Sequence, residues 1–132
     1  KAIFAGGYLT NFVSLIGTPY FPVVEKRILL LEDTGERPYR LDRMMWQIDQ
    51  AGIFPKIKGL VLGEFPDCFK NGIEKGKFLG RVLKYVQAYS YPVIYDLPLG
   101  HSQNVHTIPL GIQVGINTSE YAGLIIRDKG VL

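Results

Sequence analysis

The chain has 132 residues, of which 47% are hydrophobic and 20% charged, a composition that fits one globular domain with its own core and excludes a disordered chain. The formal net charge of +3 is too small to indicate a nucleic-acid partner without a concentrated basic patch. No apolar run approaches the roughly 18 residues of a membrane span, and the single cysteine, Cys68, excludes an internal disulfide and is compatible with a reducing compartment.

The N-terminal segment is predicted to open with a flexible turn at residues 5–8, where two glycines adjoin. Four apolar residues then recur at helical spacing until Gly17 ends the run; they are Leu9, Phe12, Val13 and Ile16. Residues 18–22 contain two prolines, which exclude regular structure. Because the chain begins at Lys1 rather than at a methionine, we expect it to be a fragment of a longer protein.

A buried strand followed by acidic residues is the most informative stretch. Residues 28–31 show no polar alternation, which predicts a strand covered on both faces. Glu32, Asp33 and Glu36 follow it. The carboxyl ends of such strands line the ligand crevice of open α/β sheets, so a carboxylate here can orient another side chain. The alternative is that one of these acids caps the following helix, and spacing alone favours that alternative.

The middle of the chain alternates helices and strands. An apolar stripe that includes two methionines predicts a helix from Pro38 to Gly52, and residues 57–65 read as a second buried strand in which Gly59 and Gly63 indicate close packing or a bend. A second amphipathic helix is predicted over residues 74–90, with a solvated basic face. Residues 91–95 form the third predicted strand.

The C-terminal third changes character. Residues 107–110, 112–116 and 122–127 are short alternating segments that predict strands, the last two joined by a turn at residues 117–120. The predicted fold is therefore a small mixed α/β domain covering residues 1–132, in which strands alternate with two main helices and a β-hairpin follows.

A histidine follows the third strand in a loop rich in turn residues. Gly100 lets the backbone turn sharply there and leaves the imidazole of His101 uncrowded. A loop histidine without a partner is more often simply exposed. His101 and His106 lack a cysteine or acid at a recognisable spacing, so we predict no metal site, and the glycines match no phosphate-binding loop, so we predict no cofactor.

Two motifs together resemble the LD-carboxypeptidase family, the serine peptidases that include the microcin C immunity hydrolases. The first is Leu-Glu-Asp at 31–33, with Glu36, Pro-Tyr-Arg-Leu-Asp-Arg at 38–43 and Ala-Gly at 51–52. The second is Pro-Leu-Gly-His-Ser at 98–102, followed by Thr-Ile-Pro-Leu-Gly at 107–111. Both motifs in this order outweigh the capping and exposed-histidine interpretations. Tyr8 is a departure, because the family usually has asparagine after the two glycines.

The resemblance implies a two-domain protein whose N-terminal domain supplies a nucleophilic serine and the oxyanion hole, while the C-terminal domain supplies a glutamate and a histidine. This chain then corresponds to the C-terminal domain alone, a compact domain of the swivelling β/β/α type. Glu32 and His101 are the expected catalytic residues, and Asp33, Gly100 and Ser102 are expected to support them.

The chemistry requires these residue types. Imidazole can take the proton of a serine because its pKa lies near working pH, and a carboxylate on the other ring nitrogen fixes the tautomer and stabilises the imidazolium. We therefore expect Glu32 and His101 to converge on one cleft, with the carboxylate within about 3 Å of an imidazole nitrogen. No serine of the chain lies in a strand-to-helix elbow; the four are Ser14, Ser90, Ser102 and Ser119. The nucleophile is thus expected outside this chain, and the isolated chain is predicted to be inactive.

The resemblance also implies a substrate and partners. The expected reaction is cleavage of the L,D amide that releases terminal D-alanine from murein tetrapeptide, in cell-wall recycling in the cytoplasm. The expected partners are the murein peptide, the N-terminal domain of the same protein and a second copy in a homodimer, with no nucleic acid or membrane. The alternatives are a hydrolase of peptidyl-adenylate antibiotics and a non-catalytic binding module that kept the fold. We also expect an exposed apolar surface near residues 6–21, where a partner domain would pack.

Overall fold

The computed structural model describes residues 1–101, 103–104, 106–119 and 122–126. Its strands are β1 (Ala2–Tyr8), β2 (Ile28–Glu32), β3 (Gly59–Gly63), β4 (Val93–Leu97), β5 (Gln113–Asn117) and β6 (Gly123–Ile126). Its helices are α1 (Leu9–Ser14), α2 (Pro38–Gln50) and α3 (Gly72–Val86), with a short 3-10 turn at Phe54–Lys56. In the described ranges, no helix has both the length and the apolar character needed to cross a bilayer.

The strands form one mixed sheet in the order β4-β3-β2-β1-β5-β6. The first four are parallel, β5 pairs antiparallel with β1, and β6 pairs antiparallel with β5. Every residue of β2 and β3 is buried, because core packs on both faces of the sheet. Such strands carry continuous apolar runs rather than alternating ones. The predicted mixed α/β class is confirmed.

The two faces of the sheet carry different layers. Alternate residues of β2 such as Leu29 and Leu31 pack with α1, α2 and α3 in one core cluster. Ile28 and Leu30 point the other way and pack with Leu99 and residues from the C-terminal segment. The C-terminal hairpin bends over this second face, since a Cβ on Gly59 would lie 2.8 Å from Cδ1 of Ile116. The second layer is therefore built by loops and a hairpin instead of helices.

The predicted turn at residues 5–8 is wrong, because these residues complete β1. Gly6 and Gly7 have φ angles of +113° and +138°, which residues with side chains rarely adopt. A Cβ on Gly6 would also collide with the backbone of Leu30 on β2. The glycines thus let β1 lie against β2. Because β1 was not predicted, the strand predicted as the first in the chain, at residues 28–31, is β2.

The C-terminal predictions hold in part. The hairpin of β5 and β6 is confirmed, and its turn begins with Asn117 Oδ1 accepting bonds from the backbone N–H and the hydroxyl of Ser119. Residues 120, 121 and 127 lie outside the described residues. The strand predicted at residues 107–110 is absent from the structure: this segment is irregular, and Pro109 lacks the N–H that a ladder needs. Ile108 packs on the second-face core instead.

The expected apolar surface at residues 6–21 is largely wrong. Phe12 and Val13 are buried, with exposed fractions of 4% and 6%, because α1 turns its apolar face into the core. Phe21 packs against Phe12, with ring centroids 5.1 Å apart. Tyr20 is the strongly exposed member of this group, at 80%. The residues that crowd this stretch of sequence therefore serve the domain's own core.

Candidate active site

Glu32 ends β2, in the interior of the sheet, and is buried with an exposed fraction of 6%. It follows Leu31, which faces the helices, so the alternation of the strand turns Glu32 towards the second face. A carboxylate is rarely this buried unless a partner compensates its lost hydration. Glu32 is therefore expected to have a hydrogen-bonding partner.

The partner is His101. Its Nδ1 lies 2.9 Å from Oε2 of Glu32, although the two residues are 69 positions apart in sequence. The side chain of His101 is 51% exposed, against 7% for Glu32. The expected convergence of these residues on one site is confirmed as geometry. The pair combines a buried carboxylate with an imidazole that is open to solvent.

The path of the chain after β4 explains how the two residues meet. β4 lies two places from β2 in the sheet, with β3 between them, and all three strands are parallel. Their carboxyl ends therefore share one edge. After β4 the chain turns sharply, with Leu99 N–H donating to the carbonyl of Leu97. Leu99 then accepts a backbone bond from Glu64, just past β3. The loop thus crosses the end of β3 and delivers His101 above β2.

Two glycines leave the space that this crossing requires. Gly100 has a φ of +103°, and a Cβ on it would lie 2.6 Å from Cδ of Glu32. The expectation that Gly100 allows a sharp turn agrees with this geometry, but the group it leaves uncrowded is the carboxylate. A Cβ on Gly63 would lie 2.7 Å from the Leu99 carbonyl and 2.8 Å from Cβ of Glu32. Gly63 thus leaves room for both Leu99 and Glu32. The sequence predicted close packing or a bend at Gly63 but did not connect it with the site.

Asp33 is fully buried and points to the helix side of the sheet. Its Oδ2 accepts bonds from the backbone N–H and hydroxyl of Thr10, at 3.0 and 2.8 Å, and its Oδ1 accepts from the N–H of Thr34 at 2.8 Å. Asp33 therefore ties the end of β2 to the start of α1. The expected alternative, capping of the following helix, is wrong, since α2 begins at Pro38 without a side-chain cap.

The sequence predictions did not assign a site role to Tyr8. It ends β1, where its Cα pairs with that of Glu32, and its ring lies 5.3 Å from the ring of His101 at an angle of 59°. Partial burial, and then the neighbouring Asp33 carboxylate, raise the pKa of the Tyr8 phenol. The register of β1 with β2 would have revealed this neighbour, but the glycines before Tyr8 were interpreted as a turn.

Three further residues of the first motif, Glu36, Pro38 and Tyr39, border a separate cleft of about 510 Å³. Glu36 lies on its wall and forms an ion pair with Arg40 at 3.5 Å. Cys68 lies on the same wall, and burial raises the pKa of its thiol to about 11. Neither Glu32 nor His101 lines this cleft.

None of the serines in the described residues forms a hydrogen bond to the imidazole. The Ser14 hydroxyl donates to the carbonyl of Asn11, and the Ser119 hydroxyl to Asn117. Ser102, expected to support the site, lies outside the described residues. The described part of the chain therefore presents an acid and a base in contact, with an imidazole that is half exposed.

A carboxylate that orients a solvent-facing imidazole is the acid and base arrangement of hydrolases with a nucleophilic triad. Residues 1–116 match the LD-carboxypeptidase C-terminal domain, and the chain belongs to this family. The resemblance seen in the two motifs is thereby confirmed.

Several bacterial proteins similar to this chain are named as carboxypeptidases. The chain is 30% identical over 121 residues to the probable murein peptide carboxypeptidase of Bacillus subtilis, covering 91% of this chain and 38% of that protein. It is 33% identical over 108 residues to the murein tetrapeptide carboxypeptidase of Pseudomonas aeruginosa, covering 80% and 34%. The chain thus spans just over a third of the length of these relatives.

Solved structures share the fold. The muramoyltetrapeptide carboxypeptidase from Oxalobacter formigenes superposes with a TM-score of 0.79 at 34% identity, over 96% of this chain and 45% of that one. The wild-type microcin C7 self immunity protein MccF superposes with a TM-score of 0.80 over 96% of this chain and 38% of that one. At 22% identity, the second likeness concerns the fold alone.

Proposed function

We propose that Glu32 and His101 are the acid and base of a Ser-Glu-His triad in a serine carboxypeptidase. The observation that carries this proposal is the 2.9 Å contact between Nδ1 of His101 and Oε2 of a buried Glu32. Membership of the LD-carboxypeptidase family supports it.

The proposal gives each group a role. With the proton on Nδ1, the ring donates to Glu32 and leaves Nε2 free to accept a proton from a serine hydroxyl. The imidazolium that forms then faces a carboxylate in a largely water-excluded position, where charges interact more strongly than in bulk water. His101 is half exposed, so a nucleophile from another part of the protein can reach Nε2. Asp33 and Gly100 support the pair through the end of β2 and the path of the loop.

The serine and the oxyanion hole are proposed to come from an N-terminal domain of the same protein. The chain spans only 38% of the Bacillus subtilis relative, which leaves room for such a domain. The preorganised donors of an oxyanion hole usually contribute a large part of the rate enhancement. The 132-residue chain alone is therefore expected to be inactive. A homodimer and a cytoplasmic location stay predictions.

The proposed substrate is the L,D amide of a murein tetrapeptide, whose cleavage releases D-alanine for cell-wall recycling. The relatives at 33% and 34% identity are named for murein tetrapeptide or muramoyltetrapeptide, which supports this choice. Peptidyl-adenylate hydrolysis is the second candidate, because the family that the two motifs resemble includes the microcin C immunity hydrolases. A non-catalytic binding module is a third, but it has no use for a buried carboxylate held against an imidazole.

The test compares the 132-residue chain with the full-length protein on both substrates. We expect the full-length protein to release D-alanine from murein tetrapeptide and the 132-residue chain to release none. D-alanine release by the chain alone would contradict an external nucleophile. Cleavage of a peptidyl-adenylate without cleavage of the tetrapeptide would select the second candidate, and cleavage of neither would select the binding module.

A further inference from the structure

Tyr8 has no part in the proposed triad, yet its ring lies against the imidazole of His101. The ring centroids are 5.3 Å apart and the ring planes are inclined by 59°. Aromatic rings attract one another in tilted arrangements over separations of roughly 4.5–7 Å. The two rings are therefore close enough for each to restrict the position of the other.

The chain on both sides of Tyr8 holds it in place. Its Cα pairs with that of Glu32 in the register of β1 and β2. Leu9, the next residue, is fully buried, and Thr10 bonds to Asp33 through its N–H and its hydroxyl. The Tyr8 ring thus projects from a backbone that is tied to the strand end carrying the catalytic acid.

His101, in contrast, has few restraints of its own. The side chain of His101 is half exposed. His101 lies in a loop, directly after Gly100, which has a φ of +103°. In the described residues, the imidazole forms one side-chain hydrogen bond, from Nδ1 to Glu32. One hydrogen bond holds one atom of the ring but leaves the plane of the ring free to tilt. A second side chain is needed to hold that plane.

We propose that Tyr8 is a positioning residue that holds the imidazole of His101 over Glu32, with Nε2 directed outwards. This inference rests on the proposed function and deepens it, because the orientation of Nε2 matters only if Nε2 takes a proton from the nucleophile.

The same contact has an electrostatic consequence. A cation within about 6 Å of an aromatic centroid is attracted to the ring. When His101 takes up a proton, its imidazolium lies at such a distance from the Tyr8 ring. Because burial and the nearby Asp33 carboxylate raise the pKa of the Tyr8 phenol, the phenol stays neutral, and the interaction is with the ring. Tyr8→Phe is therefore expected to preserve both the packing and the attraction.

The first experiment measures the ring of His101 directly, in the 132-residue chain by NMR. The chain has only two histidines, so the ring signals are simple to assign. We expect nuclear Overhauser contacts between the Tyr8 and His101 rings, and ring ¹⁵N shifts typical of the tautomer with its proton on Nδ1. The absence of the ring contact in the wild-type chain would overturn the proposal without any variant.

The variants then separate the ring from the hydroxyl. Tyr8→Phe should keep the orientation of the imidazole ring, read from the nuclear Overhauser contacts of its carbon-bound protons. Tyr8→Ala and Tyr8→Leu should average these contacts over several orientations of the ring plane. Tyr8→Leu fills much of the volume, so it covers the case in which Tyr8→Ala does not fold. Tyr95→Ala removes a tyrosine that is 54% exposed on β4 and serves as the control. Wild-type contacts of the imidazole protons in Tyr8→Leu would overturn the proposal.

The second experiment measures turnover of murein tetrapeptide by the full-length protein. Tyr8→Ala should lower kcat roughly fivefold with KM unchanged, the factor equivalent to an aromatic pair of about 1 kcal/mol, and Tyr8→Phe should restore most of the loss. A raised KM with normal kcat would overturn positioning in favour of substrate binding. Normal turnover in Glu32→Gln would remove the proposed function, whereas the ring contact measured by NMR would stand independently of that result.

Discussion

The two halves of the candidate site are held in opposite ways. Glu32 lies at the end of an interior strand, with a side chain that is 7% exposed, whereas His101 lies in a loop and is 51% exposed. The acid is placed by the sheet itself, and the base is placed by the acid, by Gly100 and, in our proposal, by Tyr8. We therefore expect changes at the end of β2 to disturb the fold or the charge of the site. Changes in the loop should mainly disturb the position of the imidazole.

Removing either member of the Glu32–His101 pair is expected to have the largest effect. In the full-length protein, Glu32→Gln and His101→Ala should each lower kcat by roughly 10³- to 10⁴-fold, since a triad works as a unit. The measurement is release of D-alanine from murein tetrapeptide. Circular dichroism of the same variants should show little loss of fold. Wild-type turnover in either variant would exclude that residue from the triad.

Asp33 tests whether the strand end is held by its own hydrogen bonds. Asp33→Ala leaves the N–H and hydroxyl of Thr10 and the N–H of Thr34 without their acceptor. We expect a loss of about 3 kcal/mol in the free energy of unfolding, because hydrogen bonds to a charged group are the stronger ones. Denaturant unfolding of the 132-residue chain measures it.

The control for Asp33 is a nearby acid on the surface. Asp42 forms an ion pair with Arg81 at 2.7 Å, and both side chains are partly exposed. Asp42→Ala should cost less than about 1 kcal/mol, as surface ion pairs usually do. Equal losses in the two variants would show that Asp33 has no special part in joining β2 to α1.

Gly100 tests the geometry of the loop. An alanine here would place its Cβ 2.6 Å from Cδ of Glu32 at a φ of +103°, so the loop or the carboxylate must move. Backbone strain of this kind costs of order 1–3 kcal/mol, and we expect kcat to fall by roughly 100-fold because the imidazole loses its position. The measurement is turnover by the full-length protein.

Gly80 provides a matched control for Gly100. It lies inside α3, and a Cβ there would meet nothing within 4 Å. Gly80→Ala should raise the free energy of unfolding by up to about 1 kcal/mol, because alanine is the better helix former. If Gly100→Ala behaved like Gly80→Ala in both stability and turnover, the crowding at Glu32 would have no functional meaning.

The smallest expected effect concerns Cys68, a buried residue away from the pair. Burial raises the pKa of its thiol from 9.0 to about 11. As the pH rises, the thiol therefore loses its proton at a lower pH in the unfolded chain than in the folded chain. The folded state then binds more protons, and stability falls as the pH rises from about 9 to 11. Denaturant unfolding at pH 8 and pH 10 should show a smaller pH dependence in Cys68→Ala. An equal dependence in both chains would contradict it.

Local patterns were sufficient for the elements that are amphipathic or buried along their whole length. The uninterrupted apolar residues of β2 and the apolar stripes of α2 and α3 predicted these elements within a few residues of their bounds. They were predictable because the burial of a strand or helix leaves a periodic pattern in its own residues. The strand β1 was missed because its two glycines, taken locally, indicate a turn.

The residue types that are available for chemistry could be identified from the sequence. Two motifs named Glu32, Asp33, Gly100, His101 and Ser102 as candidates, and the family resemblance that these motifs carry is confirmed. The contacts that these residues make became known from the three-dimensional structure. Glu32 contacts His101, Asp33 accepts hydrogen bonds from Thr10 instead of capping α2, and Tyr8 packs on the imidazole. These contacts join segments that are far apart along the chain, so strand order and register decide them, and neither is encoded in the periodicity of any one segment.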